Sequence, residues 1–142
     1  MGERIILHCD LNSFFASVEC LDLPHLKNVP MAVAGSSEDR HGIILAKNEI
    51  AKKYGVKTGE PLGMARDKCP NLVVAEPDYA LYVSSSRRLM ALLREVSPVV
   101  EQYSIDEAWV DMTGMEGLYG PPVLAAQHLR DRIFSTLGFT VN

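Results

Sequence analysis

Ile5-Ile6-Leu7-His8-Cys9-Asp10 and, far downstream, Tyr103-Ser104-Ile105-Asp106-Glu107-Ala108-Trp109 are the two stretches on which the reading of this chain turns. Both are apolar, strand-like runs that carry acids where the strand stops. Carboxylates are disfavoured beside apolar strands unless something compensates them, and a pair of divalent cations is a compensation that also gives the cluster a use. Asp10, Asp106 and Glu107 therefore suggest metal-assisted phosphoryl transfer, provided that folding brings them together. Each acid also has a plainer reading: Asp10 as the cap of the helix that follows it, Asp106-Glu107 as a solvated turn pair.

Working outward, Asp10-Leu11-Asn12-Ser13 opens a helix, with Asp10, Asn12 or Ser13 as cap candidates and Phe14, Ala16, Val18 and Leu21 facing a core until Leu23-Pro24 ends it. Residues 30–35 and 42–46 read as two short strands joined by a polar stretch, Ser36 to His41, as in a hairpin. A short surface helix follows from Ala46 to Tyr54, with Gly55 at the left-handed cap position. Pro61 starts another helix that Cys69-Pro70 stops, and Leu72 to Ala75 is a strand. The spacing of Leu89, Leu92, Leu93 and Val96 predicts a longer helix over 79–96, ended by Ser97-Pro98. Val99 to Ile105 and Ala108 to Met112 read as strands with the acidic pair at or beside their turn. A last helix runs from Pro121 to Leu137, with Gly138 after it, and residues 139–142 begin another strand.

With 142 residues, 47% of them hydrophobic, the chain can bury one core and a small attached lobe. Its 14 Lys and Arg against 18 Asp and Glu give a net charge of -4, so no overall basic field draws polyanions to it. The three cysteines form no CxxC pair and read as reduced thiols of a cytoplasmic protein. The N-terminal apolar run is too brief for a signal peptide or a membrane span. Alternating strands and helices at both ends, interrupted by 24–78, give an α+β fold. His8, His25, His41 and His128 have no metal-ligand spacing, and Trp109 and Ser104 read as ordinary strand residues.

Asp10-Leu11-Asn12-Ser13-Phe14-Phe15-Ala16-Ser17-Val18-Glu19 together with Tyr103-Ser104-Ile105-Asp106-Glu107-Ala108 resembles the Y-family translesion DNA polymerases. Ala46-Lys47-Asn48, Gly55-Val56-Lys57-Thr58-Gly59 and Ser97-Pro98 follow in the family's order. The resemblance implies a polymerase palm, an antiparallel or mixed sheet covered by helices, from 1–23 and 79–142, with a small fingers lobe, 24–78, inserted. It implies that Asp10, Asp106, Glu107 and the Leu11 carbonyl hold two magnesium ions, and that the amides of Ser13, Phe14 and Phe15 meet the triphosphate. Phe15 falls where the family excludes a ribonucleotide 2'-hydroxyl. Neighbouring helical side chains point about 100° apart, so Phe14 packs inward if Phe15 faces the nucleotide.

The sequence departs from the family in the fingers, where a Tyr and an Arg one turn apart are replaced by Glu49 and Lys52. Lys52 brings a point charge without a bidentate fork, and Lys47 can share the clamp. The resemblance implies that the thumb and little finger that grip duplex DNA, and a downstream Lys of the palm, lie outside these 142 residues. The resemblance thus implies a parent enzyme acting on primer-template DNA and deoxynucleoside triphosphates, with a sliding clamp or repair complex as possible partner and no membrane. The isolated 142 residues are expected to be inactive. Two other classes compete. A non-catalytic polymerase-like subunit would have lost a carboxylate, and a palm-fold nucleotide cyclase would show a Gly-Gly-rich acidic hairpin where this chain has Ser104-Ile105.

Overall fold

A computed structural model describes residues 2–35 and 42–142, and the linker at 36–41 lies outside the described residues. By its contacts the chain divides into two compact units, one made of residues 2–12 and 82–142, the other of Ser13–Leu81. The α+β class read from the alternation is what the structure has.

In the first unit β1 (Ile6–Asp10) pairs antiparallel with β6 (Glu107–Asp111), which pairs antiparallel with β5 (Val100–Gln102). Side chains alternate between the faces of a strand. Cys9, Ala108, Val110 and Met112, all buried, form one face. The long helix α4 (Tyr79–Val96), most of which belongs here, and α6 (Pro122–Leu137) bury Leu89, Leu93, Leu129 and Ile133 to supply the other side of this core. Ile6, His8 and Trp109 lie on the opposite, open face of the sheet. Both helices occupy the ranges that their apolar spacing predicts. Gly138, at φ 82°, closes α6 in the left-handed conformation expected of it, its N–H donating to the Phe134 carbonyl. At Ser97-Pro98, the buried Ser97 hydroxyl donates to the Asp111 carbonyl at 2.6 Å and so ties the end of α4 to the end of β6.

The downstream strand is shorter than its apolar run. Tyr103 and Ser104 both donate their backbone N–H to the Glu107 carbonyl, at 3.0 and 3.2 Å, which closes a tight turn and takes 103–106 out of the ladder. The C-terminal residues lie along the other edge of β1. Asp10 and Asn142 exchange backbone hydrogen bonds of 3.0 and 2.9 Å, and Asn12 donates to the Thr140 carbonyl at 3.0 Å. A four-residue helix, α5 (Glu116–Tyr119), is too short to have left a periodic signal.

In the second unit β2 (Met31–Ala34) is flanked by β3 (Ile44–Lys47), antiparallel, and β4 (Val73–Ala75), parallel. Both faces of β2 are covered, which is why it reads as an unbroken apolar run. Met31 and Val33 pack with Ala16 and Cys20 of α1 (Phe14–Asp22). Ala32 and Ala34 pack with Ala51 of α2 (Glu49–Lys53) and with Leu62 and Ala65 of α3 (Leu62–Lys68). Cys20, not Leu21, completes the buried set of α1, because Ala16 and Cys20 stand one turn apart on the face that meets β2. Packing therefore groups α1 with Ser13–Leu81, whereas the sequence division places residues 13–23 with the flanking segments. All three cysteines are buried free thiols, and burial pushes Cys9 up to about 11. No helix of the described residues is long and apolar enough to cross a membrane.

Asn48 pins this unit. Its side-chain oxygen accepts from Met31 N at 3.2 Å and from Ala51 N at 2.9 Å, capping α2. Its amide donates to the carbonyls of Leu26 and Val29 at 3.2 and 2.7 Å. One side chain thus holds the 3₁₀ turn Pro24–Asn28, β2 and α2 together. Losing a cap and leaving partly buried groups unpaired costs about 2–4 kcal/mol, so Asn48→Ala is expected to lower unfolding stability by that amount in urea titration. Asn48→Asp is expected to cost at least as much, since a carboxylate would face two carbonyl oxygens. An aspartate variant as stable as the parent would refute this account.

Candidate active site

The antiparallel register of β1 and β6 sets Asp10 directly opposite Glu107, with Asp106 one residue before it. Directly opposed residues have Cβ atoms about 4.5–5.5 Å apart, so the sheet itself keeps two of the acids adjacent. The third is fixed by the turn, where the Asp106 carbonyl accepts from Leu11 N at 3.1 Å. Asp10 is thus the last residue of a strand and not the cap of α1. The cap position belongs to Ser13, in a left-handed conformation with φ 46°, and its side chain makes no capping bond.

Such crowding leaves an electrostatic mark. Burial pushes the Asp10 carboxyl above its ordinary value, and the charges of Glu107 and Asp106 push it further, with His8 opposing them. Two neighbours engage the downstream pair. Ser104 Oγ lies 3.1 Å from Asp106 Oδ1 and 3.0 Å from Glu107 Oε2, so its one hydroxyl proton serves both acids in turn. His8 Nε2 lies 3.2 Å from Glu107 Oε1, and its ring stacks on Trp109 with centroids 4.3 Å apart and planes at 24°. Neither residue was assigned a part from sequence. The signal that would have found His8 is alternation: it stands two residues before Asp10, hence on the same face, and opposite Trp109, which stands two after Glu107.

The donor set is all hard oxygen, the preference of magnesium, and its mutual repulsion is what a cation would relieve. The carboxylates are neighbours that do not yet enclose a common point: among the described residues no three His, Cys, Asp or Glu groups are grouped closely enough to hold a metal ion as they stand. A concavity of about 430 Å³, lined by Val96, Tyr119, His128 and Arg132 among others, includes none of the acids.

In the second unit, Ser13, Phe14 and Phe15 begin α1. Phe14 is the buried ring of the two, and Phe15 is half-buried, meeting Tyr79 edge-on at 6.1 Å. Lys52 and Glu49 are exposed on α2, and Lys47 Nζ donates to Thr58 Oγ1 at 3.2 Å.

Residues 9–142 match the signature of the impB/mucB/samB family. The chain belongs to this family. It is 48% identical over 140 residues to DNA polymerase IV of Acetivibrio thermocellus, covering 99% of this chain and 35% of that protein. It is 41% identical over 138 residues to DNA polymerase IV 2 of Bacillus subtilis, covering 97% of this chain and 34% of that one. The chain thus spans about a third of the length of the curated relatives it matches. Among solved structures, a Y-family DNA polymerase chimera of Dbh and Dpo4 superposes with a TM-score of 0.89 at 30% identity, over 96% of this chain and 41% of that one. An insertion ternary complex of Dbh DNA polymerase gives 0.88 at 31% identity, with the same coverage. The Y-family resemblance and the palm-type α+β fold are borne out.

The raised pKa of Asp10 carries a sign that can be checked. Its ionised form is penalised in the folded chain above the folded pKa, and the penalty vanishes below the ordinary value of 3.8, where the group is protonated in both states. In chelator-treated buffer, Asp10→Asn is therefore expected to melt higher than the parent at pH 7, with the advantage gone near pH 3.5. A variant that melts lower at pH 7 would contradict it.

Proposed function

We propose that this chain is the palm and fingers portion of a lesion-bypass DNA polymerase, which adds deoxynucleotides to a primer on damaged template. One observation carries the reading: the β1–β6 register sets Asp10 against Glu107 with Asp106 alongside, in a family whose relatives are named DNA polymerase IV. Asp10, Asp106, Glu107 and the Leu11 carbonyl are the groups that hold two magnesium ions in this reading. When bound, the metals supply an activated primer 3'-hydroxyl and charge neutralisation on the triphosphate.

The chain's own residues do the rest. The three acids concentrate negative charge at one end of the sheet, so that the site accepts nucleotide only together with cations. The first amides of α1, at Ser13, Phe14 and Phe15, meet phosphate oxygens at a helix N-terminus. The half-buried Phe15 excludes a ribose 2'-hydroxyl by shape, while Phe14 anchors the helix. Lys52 offers the phosphates a point charge, and Glu49 offers none. Residues 1–23 and 79–142 are the palm of this reading and 24–78 the fingers. Primer-template DNA, the incoming deoxynucleotide and a sliding clamp or repair complex are partners of the longer protein, in a cytoplasmic setting where the buried thiols stay reduced.

Residues 1–142 can be exchanged for the matching third of the Acetivibrio thermocellus relative, and the chimera assayed for primer extension. Template-directed incorporation is expected. It should fall by roughly 10²–10³-fold or more in the Asp106→Asn chimera, because the charge developing in the transition state loses its support. Equal incorporation with and without Asp106 would sink the proposal. The 142-residue chain alone is expected to extend no primer.

A further inference from the structure

We propose that His8 is a positioning residue for Glu107: stacked on the ring of Trp109, it holds the carboxylate through the close contact of Nε2 with Oε1 and so sets the cation affinity of the acid cluster. The inference deepens the reading above and rests on it, since it concerns the same three acids.

The geometry is over-determined in the way a positioning contact requires. His8 and Trp109 are direct partners in the β1–β6 register, so their rings leave the sheet side by side on its open face, and they stack at 4.3 Å. Stacked on the indole, the imidazole brings Nε2 to 3.2 Å from Glu107 Oε1, within ion-pairing distance. Glu107 stands two residues before Trp109 on the same strand face, which puts its carboxylate beside the edge of the ring that Trp109 supports. The other oxygen, Oε2, lies 3.0 Å from Ser104 Oγ, on the side of Asp106. Glu107 is thereby held at both oxygens, with Oε2 presented toward the acid it must share a cation with.

A glutamate left to itself spreads over many rotamers, and gathering it costs side-chain entropy that weakens any ion it binds. A contact that pays this ordering in advance raises affinity, and outer partners of ligating carboxylates typically change metal affinity by about 10–100-fold when removed. The His8 side chain is 38% exposed, so it contributes little to the core, and stability alone does not explain a ring engaged on two sides.

The test uses the 142-residue chain itself with Mn²⁺ as probe, its binding read by electron paramagnetic resonance, and with the lone Trp109 as a fluorescent reporter. His8→Phe keeps the ring and its stack but removes the donor. His8→Gln loses the ring but places an amide N–H near the position of Nε2. Phe is expected to weaken Mn²⁺ binding by about tenfold or more, and Gln to stay within about threefold of the parent. In the parent, Mn²⁺ is expected to shift Trp109 emission, because loading Glu107 disturbs the ring stacked on that indole; in His8→Phe the shift is expected to disappear. Phe binding as tightly as the parent, or Gln falling as far as Phe, would overturn the proposal, because the donor would then not be what acts. Asp10→Asn and Glu107→Gln separate the two levels. If both bind Mn²⁺ like the parent, the metal reading of the cluster fails and this inference falls with it. If both weaken binding while His8→Phe does not, only the role of His8 is lost.

Discussion

The antiparallel pairing of Ile6–Asp10 with Glu107–Asp111 is the constraint from which the site follows. Its register is set by burial, not by the acids. Cys9 opposite Ala108 and Leu7 opposite Val110 turn toward the helix-covered core, and a slip of one residue would send that whole set to the open face and carry Asp10 and Glu107 inward. Burying two large apolar side chains is worth roughly 3–6 kcal/mol, more than the repulsion of two partly solvated carboxylates in water-like dielectric. Packing therefore decides where the charges go. Residues 139–142, paired along the outer edge of β1, hold the strand from its other side.

The acids are thus assembled against their own electrostatics. Asp10 is the group that registers this most plainly, its carboxyl raised first by burial and then by its two neighbours. The single Ser104 hydroxyl and the His8 ring offset part of the repulsion, yet the three carboxylates still do not close on one point. The cost is local, and the buried core beneath the sheet offsets it.

Much of this was legible in sequence because the signals are local. The apolar run over Ile5–Cys9, the apolar stripe of 79–96, the breaks at Ser97-Pro98 and Gly138, and the two acidic segments each declare themselves within a few residues. What stayed hidden depends on partners. That Asp10 and Glu107 are opposed, and so that His8 stacks on Trp109, is a property of register, which neither strand contains alone. Ser104 reads as a strand residue until Tyr103 and Ser104 turn their N–H groups to the Glu107 carbonyl and leave the ladder. Asn48 falls inside the helix that sequence spacing predicts from Ala46 to Tyr54; that it caps α2 and that its amide holds Leu26 and Val29 come from tertiary approach. Leu21 yielded its place in the core to Cys20 for the same reason, since only the position of β2 selects the face of α1 that is buried.

The compactness of Ser104-Ile105-Asp106-Glu107-Ala108 has a physical reason, because each of the five does a different job within one turn. Ser104 carries the hydroxyl that lies between the acids. Ile105 offers its carbonyl to the buried hydroxyl of Ser86, which moors the turn to α4. Asp106 gives its carbonyl to Leu11 N and so locks the turn to the end of β1. Glu107 opens the strand and projects to the open face, while its carbonyl receives the two N–H groups that make the turn. Ala108, fully buried opposite Cys9, faces the helices, where a larger side chain would have to displace core atoms and lift the strand. Ser104, Glu107 and Ala108 act through their side chains, by hydroxyl, carboxylate and packing, whereas Ile105 and Asp106 moor and lock the turn through backbone carbonyls.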